Sequence, residues 1–132
     1  MLSRSGTSDL PELVDKTIDI GRREDKVEFR EYGNEEASTT IIVGQTIRWQ
    51  NKDARPHQVV SNVEVNGRPL FDTGIIGPGE HRDVLVDIDL YSKAGGKPAN
   101  VIRVKYHSTD DEDSSGELQI VSAARRRRSP EH

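Results

Sequence analysis

The residue with the most distinctive chemistry in this sequence is His57, which follows Pro56 after a strand-like segment and a polar turn. An imidazole is a common ligand of copper and zinc. Oxygen donors are concentrated further along the chain, in the acidic run Asp110–Asp113. The chain contains no cysteine, which excludes disulfides, thiolate zinc sites, iron–sulfur clusters and cysteine nucleophiles. Any metal bound here would therefore be held without a thiolate.

Other motifs in the sequence give weaker indications of a functional site. The run Asp110–Asp113 lacks the ligand spacing of an EF-hand calcium loop, so we interpret it as a solvated acidic loop or, alternatively, as a recognition patch. The pair Gly95-Gly96 is not followed by the helix start that a phosphate-binding loop needs. His81 begins a strand and is expected at the surface. Because the sequence shows no nucleophile elbow or other catalytic signature, we do not expect an enzyme.

The elements that position these residues are short strands. Alternating or β-branched segments recur along the chain, at residues 16–20, 26–30, 39–43, 45–50, 57–60, 82–88, 101–106 and 116–121. Turn-forming residues separate them, as at Asn66-Gly67 and Gly77-Pro78-Gly79. No segment has the continuous apolar face of a three-turn helix. The pattern predicts an all-β protein, an antiparallel Greek-key β-sandwich of about seven to eight strands. We expect Trp49, in an alternating strand, to lie in its core.

The bulk properties limit the function. The 132 residues suit one domain, which we divide into a flexible N-terminal segment (1–14), a β-sandwich (15–122) and a basic disordered tail (123–132). The tail contains Arg125–Arg128, interpreted as a solubilising end. A net charge of −4 argues against nucleic-acid binding. No apolar run approaches the roughly 20 residues of a membrane span, and no signal-peptide core is present.

Between about Val27 and Val121, four groups of motifs occur in an order that is typical of one protein family. They are VGQTIRWQN (43–51), then Pro56-His57, then FDTG (71–74) with IGPGE (76–80), and finally YHSTDDEDSSGELQIV (106–121). In this order the chain resembles the cupredoxins, the blue-copper family of plastocyanin and azurin. The last segment follows that family's closing pattern, Tyr-x-Cys-x-x-His-x-x-Met-x-Gly-x-Ile-x-Val. The resemblance implies a cupredoxin-like sandwich with His57 at the position of the first copper ligand.

The remaining ligand positions depart from the family. Ser108 stands at the cysteine position, Asp111 at that of the second histidine and Ser114 at that of the methionine. Type 1 copper needs two histidines and a thiolate, so the resemblance implies a vestigial site here. The widest candidate set is His57, Ser108, Asp111 and His107, although period-2 alternation would turn His107 to the opposite face.

Two interpretations of the site remain open. In one, His57 is a turn-end histidine hydrogen-bonded to the facing loop, no cofactor binds, and the domain is a non-catalytic module for protein interaction. Its partner is unknown and would bind through the acidic run Asp110–Asp113. In the other, His57 and carboxylates hold Cu(II) or Zn(II) without a thiolate. The resemblance also implies a periplasmic or extracellular location.

Overall fold

A computed structural model describes residues 14–31, 38–97 and 100–122 of the chain. The strands are β1 (Lys16–Arg23), β2 (Lys26–Glu31), β3 (Ser38–Ile42), β4 (Thr46–Asn51), β5 (His57–Ser61), β6 (Glu64–Val65), β7 (Arg68–Pro69), β8 (Asp72–Ile76), β9 (His81–Leu85), β10 (Val101–Ser108) and β11 (Asp111–Val121). One short helix, α1 (Ile88–Lys93), follows β9. The predicted N-terminal segment, apart from Val14, and the predicted tail lie outside the described residues.

The strands form two main sheets packed face to face, as the period-2 pattern predicts. One sheet has the order β2-β1-β4-β9, the other has β3-β11-β10-β5-β8, and β6 and β7 form a separate hairpin. The all-β sandwich is therefore confirmed. Most neighbouring strands are antiparallel, but β1 pairs with β4 and β3 with β11 in parallel. Local alternation does not distinguish these pairings, because both orientations place the same residues inward.

The core between the sheets is built around aromatic side chains. Trp49 is fully buried, as expected, and Tyr106 is 1 % exposed. Their ring centroids lie 5.4 Å apart in an edge-on arrangement, and Phe29 approaches Tyr106 edge-on at 4.8 Å. Phe71 stacks on Trp49 at 5.3 Å. Such geometries add to the stabilisation from burial alone. Tyr106 therefore joins the two sheets at the centre of the core.

Two predicted strands end earlier than the alternation suggested. The segment 82–88 leaves the sheet after Leu85, because the Asp87 side chain accepts a hydrogen bond from the backbone of Leu90 and caps α1. Predicted strand 57–60, extended toward Val65, stops at Ser61, and the chain then forms the β6–β7 hairpin. That hairpin turns at Asn66-Gly67, both with positive φ, as the turn chemistry predicts.

The strands run between two ends of the sandwich. The first, called the site end, contains the β4–β5 connection, the β8–β9 turn and the β10–β11 turn; His57 pairs there with Ile76. The second, called the helix end, contains α1, the β3–β4 turn and the start of β10. There the backbone of Gly44 donates to Val86, and Val101 pairs with Val121. No helix among the described residues is long and apolar enough to cross a membrane.

Candidate metal centre

His57 occupies the first position of β5 and points between the two sheets, where it is 1 % exposed. Its Nδ1 atom lies 2.8 Å from the hydroxyl oxygen of Ser108, the fully buried last residue of β10. Alternation along β10 places Tyr106 and Ser108 inward, as predicted. The sequence therefore brings together His57 and the residue at the cysteine position.

The other imidazole nitrogen faces a carboxylate. His57 Nε2 lies 2.7 Å from an oxygen of Asp53, and the same oxygen accepts two hydrogen bonds from the Arg22 guanidinium, at 2.9 and 3.1 Å. Burial raises the pKa of Asp53, but the hydrogen bonds from His57 and Arg22 outweigh it and lower the pKa to about 2. Asp53 is therefore ionised near neutral pH, and its carboxylate accepts a hydrogen bond from the N–H at His57 Nε2.

This assignment gives a complete set of donors and acceptors. With the proton on Nε2, a neutral His57 ring leaves Nδ1 to accept a hydrogen bond from the Ser108 hydroxyl. The Ser108 oxygen in turn accepts from the backbone N–H of Asp110, at 3.2 Å. Every polar atom of the buried His57–Ser108 pair then has a partner. These hydrogen bonds matter because each buried polar group left without a partner would lower the free energy of unfolding by about 1–3 kcal/mol.

Arg22 ties together three parts of the site end. From β1 it reaches Asp53 in the β4–β5 connection and, at 3.1 Å, Asp110 in the β10–β11 turn. The β4–β5 connection is itself held by Asn51, whose side chain accepts from the backbone of Asp53 and donates to the carbonyls of Arg55 and Ile76. The network therefore clamps loops that are far apart in sequence.

Asp111, at the position of the second histidine ligand, is engaged elsewhere. Its carboxylate accepts hydrogen bonds of 3.1 Å from the backbones of Val27 and Asp113. The bond from Val27 is the main cause of a lowered Asp111 pKa. Ser114, at the methionine position, accepts from the backbone of Ser108 at 3.0 Å and donates to the Asp111 carbonyl.

His107 lies on the outer face of its sheet. Its Nδ1 is 2.6 Å from the side-chain oxygen of Asn62 in a hydrogen bond exposed to solvent. As the alternation of β10 predicts, it is turned away from His57. Of the candidate metal ligands, the structure thus brings only His57 and Ser108 into direct contact.

The atoms present do not fit a copper or zinc ion. Two ligands of one tetrahedral ion, each about 2.1 Å from it, are roughly 3.4 Å apart, whereas His57 Nδ1 and Ser108 Oγ are in direct contact at 2.8 Å. The second nitrogen of His57 is turned to Asp53, and Asp111 caps backbone groups. Within residues 14–31, 38–97 and 100–122, no three histidine or acidic side chains are grouped to hold a metal.

The order Ser108, His57, Asp53 has the residue types of a hydrolytic triad, but the serine and the histidine are both buried. A triad serine must meet a substrate carbonyl and lie beside groups that stabilise an oxyanion. Ser108 is 0 % exposed and His57 is 1 % exposed. The Ser108 oxygen also already accepts the Asp110 backbone N–H. The arrangement is a buried polar network in which the Ser108 hydroxyl does not reach the surface.

Sequence reasoning missed Asp53 and Arg22. Asp53 belongs to the polar turn Asn51-Lys52-Asp53, which is typical of a structural turn. Its position four residues before His57 was a usable signal, since both residues belong to the short connection between β4 and the start of β5 and must therefore lie at the same end of the sandwich. Arg22 offered no such signal, because it is 31 residues from Asp53 and 88 from Asp110.

Comparisons with known proteins bear on the fold. No protein-family model matches the sequence, and no curated protein matches it. Among solved structures, a purple cupredoxin from Nitrosopumilus maritimus superposes with a TM-score of 0.54 and 19% identity, covering 80% of this chain and 99% of that one. A reduced tryptophan-to-tyrosine variant of amicyanin has a TM-score of 0.53 and 16% identity, covering 83% of this chain and 87% of its own. A methionine-to-alanine variant of amicyanin in its Cu(I) form has the same coverage, at 17% identity and a TM-score of 0.53. These similarities confirm the fold that the motifs predict.

Proposed function

We propose that this cupredoxin-fold protein is a non-catalytic module that binds another protein at its site end and works without a metal. The 2.8 Å contact between His57 Nδ1 and Ser108 Oγ carries the proposal. It joins the two atoms that would have to separate to hold an ion. Electron transfer of the type 1 copper kind would also require a thiolate, and the chain has no cysteine. A location outside the cytoplasm belongs to the same proposal and rests on the resemblance alone.

The acidic run supplies the contact surface in this proposal. Only Asp110 lies in a turn; the other three residues open β11, so most of the run is strand and not the solvated loop we expected. Asp110 and Asp111 are occupied by Arg22 and Val27. Glu112 and Asp113 are exposed, and within the described part of the chain their carboxylates have no partner. Their charges are therefore available to a cationic surface on another protein.

We expect the purified protein to be colourless and indifferent to metal. A ligand that binds only the folded state raises the melting temperature. Saturating Cu(II) or Zn(II) should therefore move the melting temperature by less than about 1 °C, as a differential scanning experiment with and without chelator would show. The His57→Ala variant serves as the matched control and should respond in the same way.

The alternative is a thiolate-free Cu(II) or Zn(II) site at His57. One observation favours it: Asp53 holds His57 Nε2 in the manner of the carboxylates that orient metal-bound histidines. A metal-dependent rise in melting temperature that disappears in His57→Ala would establish this alternative and overturn the metal-free proposal. A weak visible d–d band would identify the ion as Cu(II).

The contact role is tested with charge variants. A Glu112→Gln/Asp113→Asn variant removes the unpartnered charges without touching the buried network. The immobilised wild type is expected to retain one or more proteins from an extract of its own source. The immobilised variant should retain at least tenfold less of each of them, as quantitative mass spectrometry would measure. A Glu64→Gln/Asp89→Asn variant removes two exposed charges outside the site end and should retain these proteins. Equal loss from both variants, or from neither, would reject the site end as the contact surface.

A further inference from the structure

A cleft of about 340 Å³ lies between the β6–β7 hairpin and the end of α1. This volume is at the lower end of the range of roughly 300–1,000 Å³ that small-molecule sites occupy. The described residues that line it are aliphatic side chains, one amide and two cations: Val65, Asn66, Arg68, Pro69, Leu70 and Lys93. None of these six residues is acidic, and none belongs to the network around His57. The cleft therefore differs in chemistry from the acidic site end.

The pairing of β6 with β7 determines which side chains of the hairpin face the cleft. Val65 pairs with Arg68, and Glu64 pairs with Pro69. Because side chains alternate along a strand, Val65 and Arg68 share one face of the hairpin, and Glu64 lies on the other. In agreement, Val65 and Arg68 line the cleft and Glu64 does not. The Arg68 guanidinium has no ion-pair partner in the described part of the chain.

Lys93, the last residue of α1, supplies the second cation. Its ammonium group lies 3.1 Å from a carboxylate oxygen of Asp89, and the two side chains are 56% and 69% exposed. Because such an exposed pair contributes little free energy, an anion in the cleft can compete with Asp89 for the ammonium group. An oxyanion there would meet the planar fork of Arg68 and the point charge of Lys93.

Both walls of the cleft are held by hydrogen bonds to the body of the domain. At the base of the hairpin, the Ser61 hydroxyl donates to the carbonyl of Val63 at 2.9 Å. On α1, the buried Tyr91 donates its hydroxyl to the carbonyl of Asn100 at 2.7 Å. Leu70, on the floor of the cleft, packs against the hydrophobic core. A cleft whose walls are fixed in advance loses less conformational entropy when a ligand binds.

We propose that this cleft binds a small organic anion, namely a carboxylate or a phosphate monoester with an apolar body. The anionic group binds Arg68 and Lys93, and the apolar body covers Val65 and Leu70. An inorganic anion would leave the aliphatic floor exposed, and a neutral apolar molecule would leave Arg68 without a counter-charge. The proposal holds whether or not the site end binds a protein.

An NMR titration of the full chain tests the proposal, with benzoate and phenyl phosphate as probes. At least one of them should bind with a dissociation constant of about 1 mM or less. The largest shifts should fall on the backbone amides of residues 64–70 and 92–94, and the tighter probe identifies the anionic group. Inorganic phosphate, which lacks the ring, and phenol, which lacks the strong anion, should each bind at least about tenfold more weakly.

Three variants complete the test. Arg68→Gln should weaken binding of the probe by about tenfold or more, whereas Asp89→Asn, which frees Lys93, should strengthen it by about twofold. The matched control is Arg30→Gln on β2, an edge strand of the first sheet. Arg30 is also exposed and pairs with Glu28 at 3.2 Å, so its substitution should leave the affinity unchanged.

Unchanged melting temperatures would show that these variants fold. The proposal is overturned if neither probe binds at about 5 mM, or if the largest shifts lie outside the cleft. Equal affinity for phenyl phosphate and inorganic phosphate, with no binding of benzoate, also overturns it, because the apolar floor would then contribute nothing. An equal loss of affinity in Arg68→Gln and Arg30→Gln would indicate a general charge effect and would reject the cleft as the binding site.

Discussion

Replacing Asp53 with alanine will lower the free energy of unfolding by about 3 kcal/mol. The substitution leaves the buried His57 Nε2 without its acceptor and removes one of the two carboxylates bound to Arg22. Removing one member of a buried charged network destabilises the folded state by more than the intact network stabilises it, because the remaining partners stay buried without a counter-charge. Urea denaturation at pH 7 measures the loss.

Asp83→Ala is the matched control for this prediction. Asp83 also binds an arginine, Arg48, at 2.8 Å, but the pair lies on the outer face of its sheet and the Asp83 side chain is 32% exposed. Exposed pairs contribute about 0–1 kcal/mol. If Asp83→Ala destabilises the protein as much as Asp53→Ala, burial of the His57 network does not explain its stabilising effect.

The same carboxylate predicts an acid transition. The pKa of Asp53 is lowered from 3.8 to about 2 in the folded protein, so its stabilising contribution is present above pH 4 and is lost as the pH falls toward 2. The shift corresponds to about 2 kcal/mol. The stability difference between wild type and Asp53→Asn should therefore shrink by about this amount between pH 6 and pH 2. A pH-independent difference would contradict the assignment.

Gly116→Ala will be the other strongly destabilising substitution, with a loss of about 3 kcal/mol. Gly116 pairs with Tyr106 across β10 and β11, and the Tyr106 ring lies directly over it. A methyl group would overlap this ring, which is held by Trp49 and Phe29 and is 1 % exposed. The ring cannot move without disturbing the centre of the core.

Gly21→Ala provides the comparison in the other sheet. Gly21 also lies inside a strand, β1, but nothing lies within 4 Å of an added methyl group and its φ is ordinary for a strand. Its substitution should change the free energy of unfolding by no more than about 0.5 kcal/mol. Thermal denaturation of both variants distinguishes a specific clash with Tyr106 from a general intolerance of alanine in these strands.

Sequence patterning accounted for much of this fold because its main determinants are local. Alternation in β10 placed Tyr106 and Ser108 inward and His107 outward, and the structure agrees. The motifs from 43–51 to 106–121 predicted a cupredoxin-like fold, which the structural comparisons confirm. The parallel pairings of β1 with β4 and β3 with β11 escaped prediction, because alternation does not encode strand direction.

The candidate site was harder to predict, because most of its hydrogen-bond partners lie far apart in the sequence and meet only in the folded structure. His57 and Ser108 were placed through the family frame. Asp111 was placed with them for the same reason, yet in the structure its carboxylate caps Val27 instead. Asp53 and Arg22, which complete the network, come from a turn and a strand that no motif connects. Long-range side-chain contacts of this kind depend on how loops from both sheets meet.

The path of β11 sets how far apart the charges at the two ends lie. This strand runs from Asp111 at the site end to Val121 at the helix end. Its partner β10 covers the same span in 8 residues, because β11 carries extra residues between the Tyr106–Gly116 and Ser108–Asp111 pairs. At the usual rise of a strand, this span is about 25 Å, roughly three times the screening length at physiological salt. The exposed carboxylates of Glu112 and Asp113 are therefore largely screened from charges at the helix end, and the two ends can meet different surfaces without influencing each other.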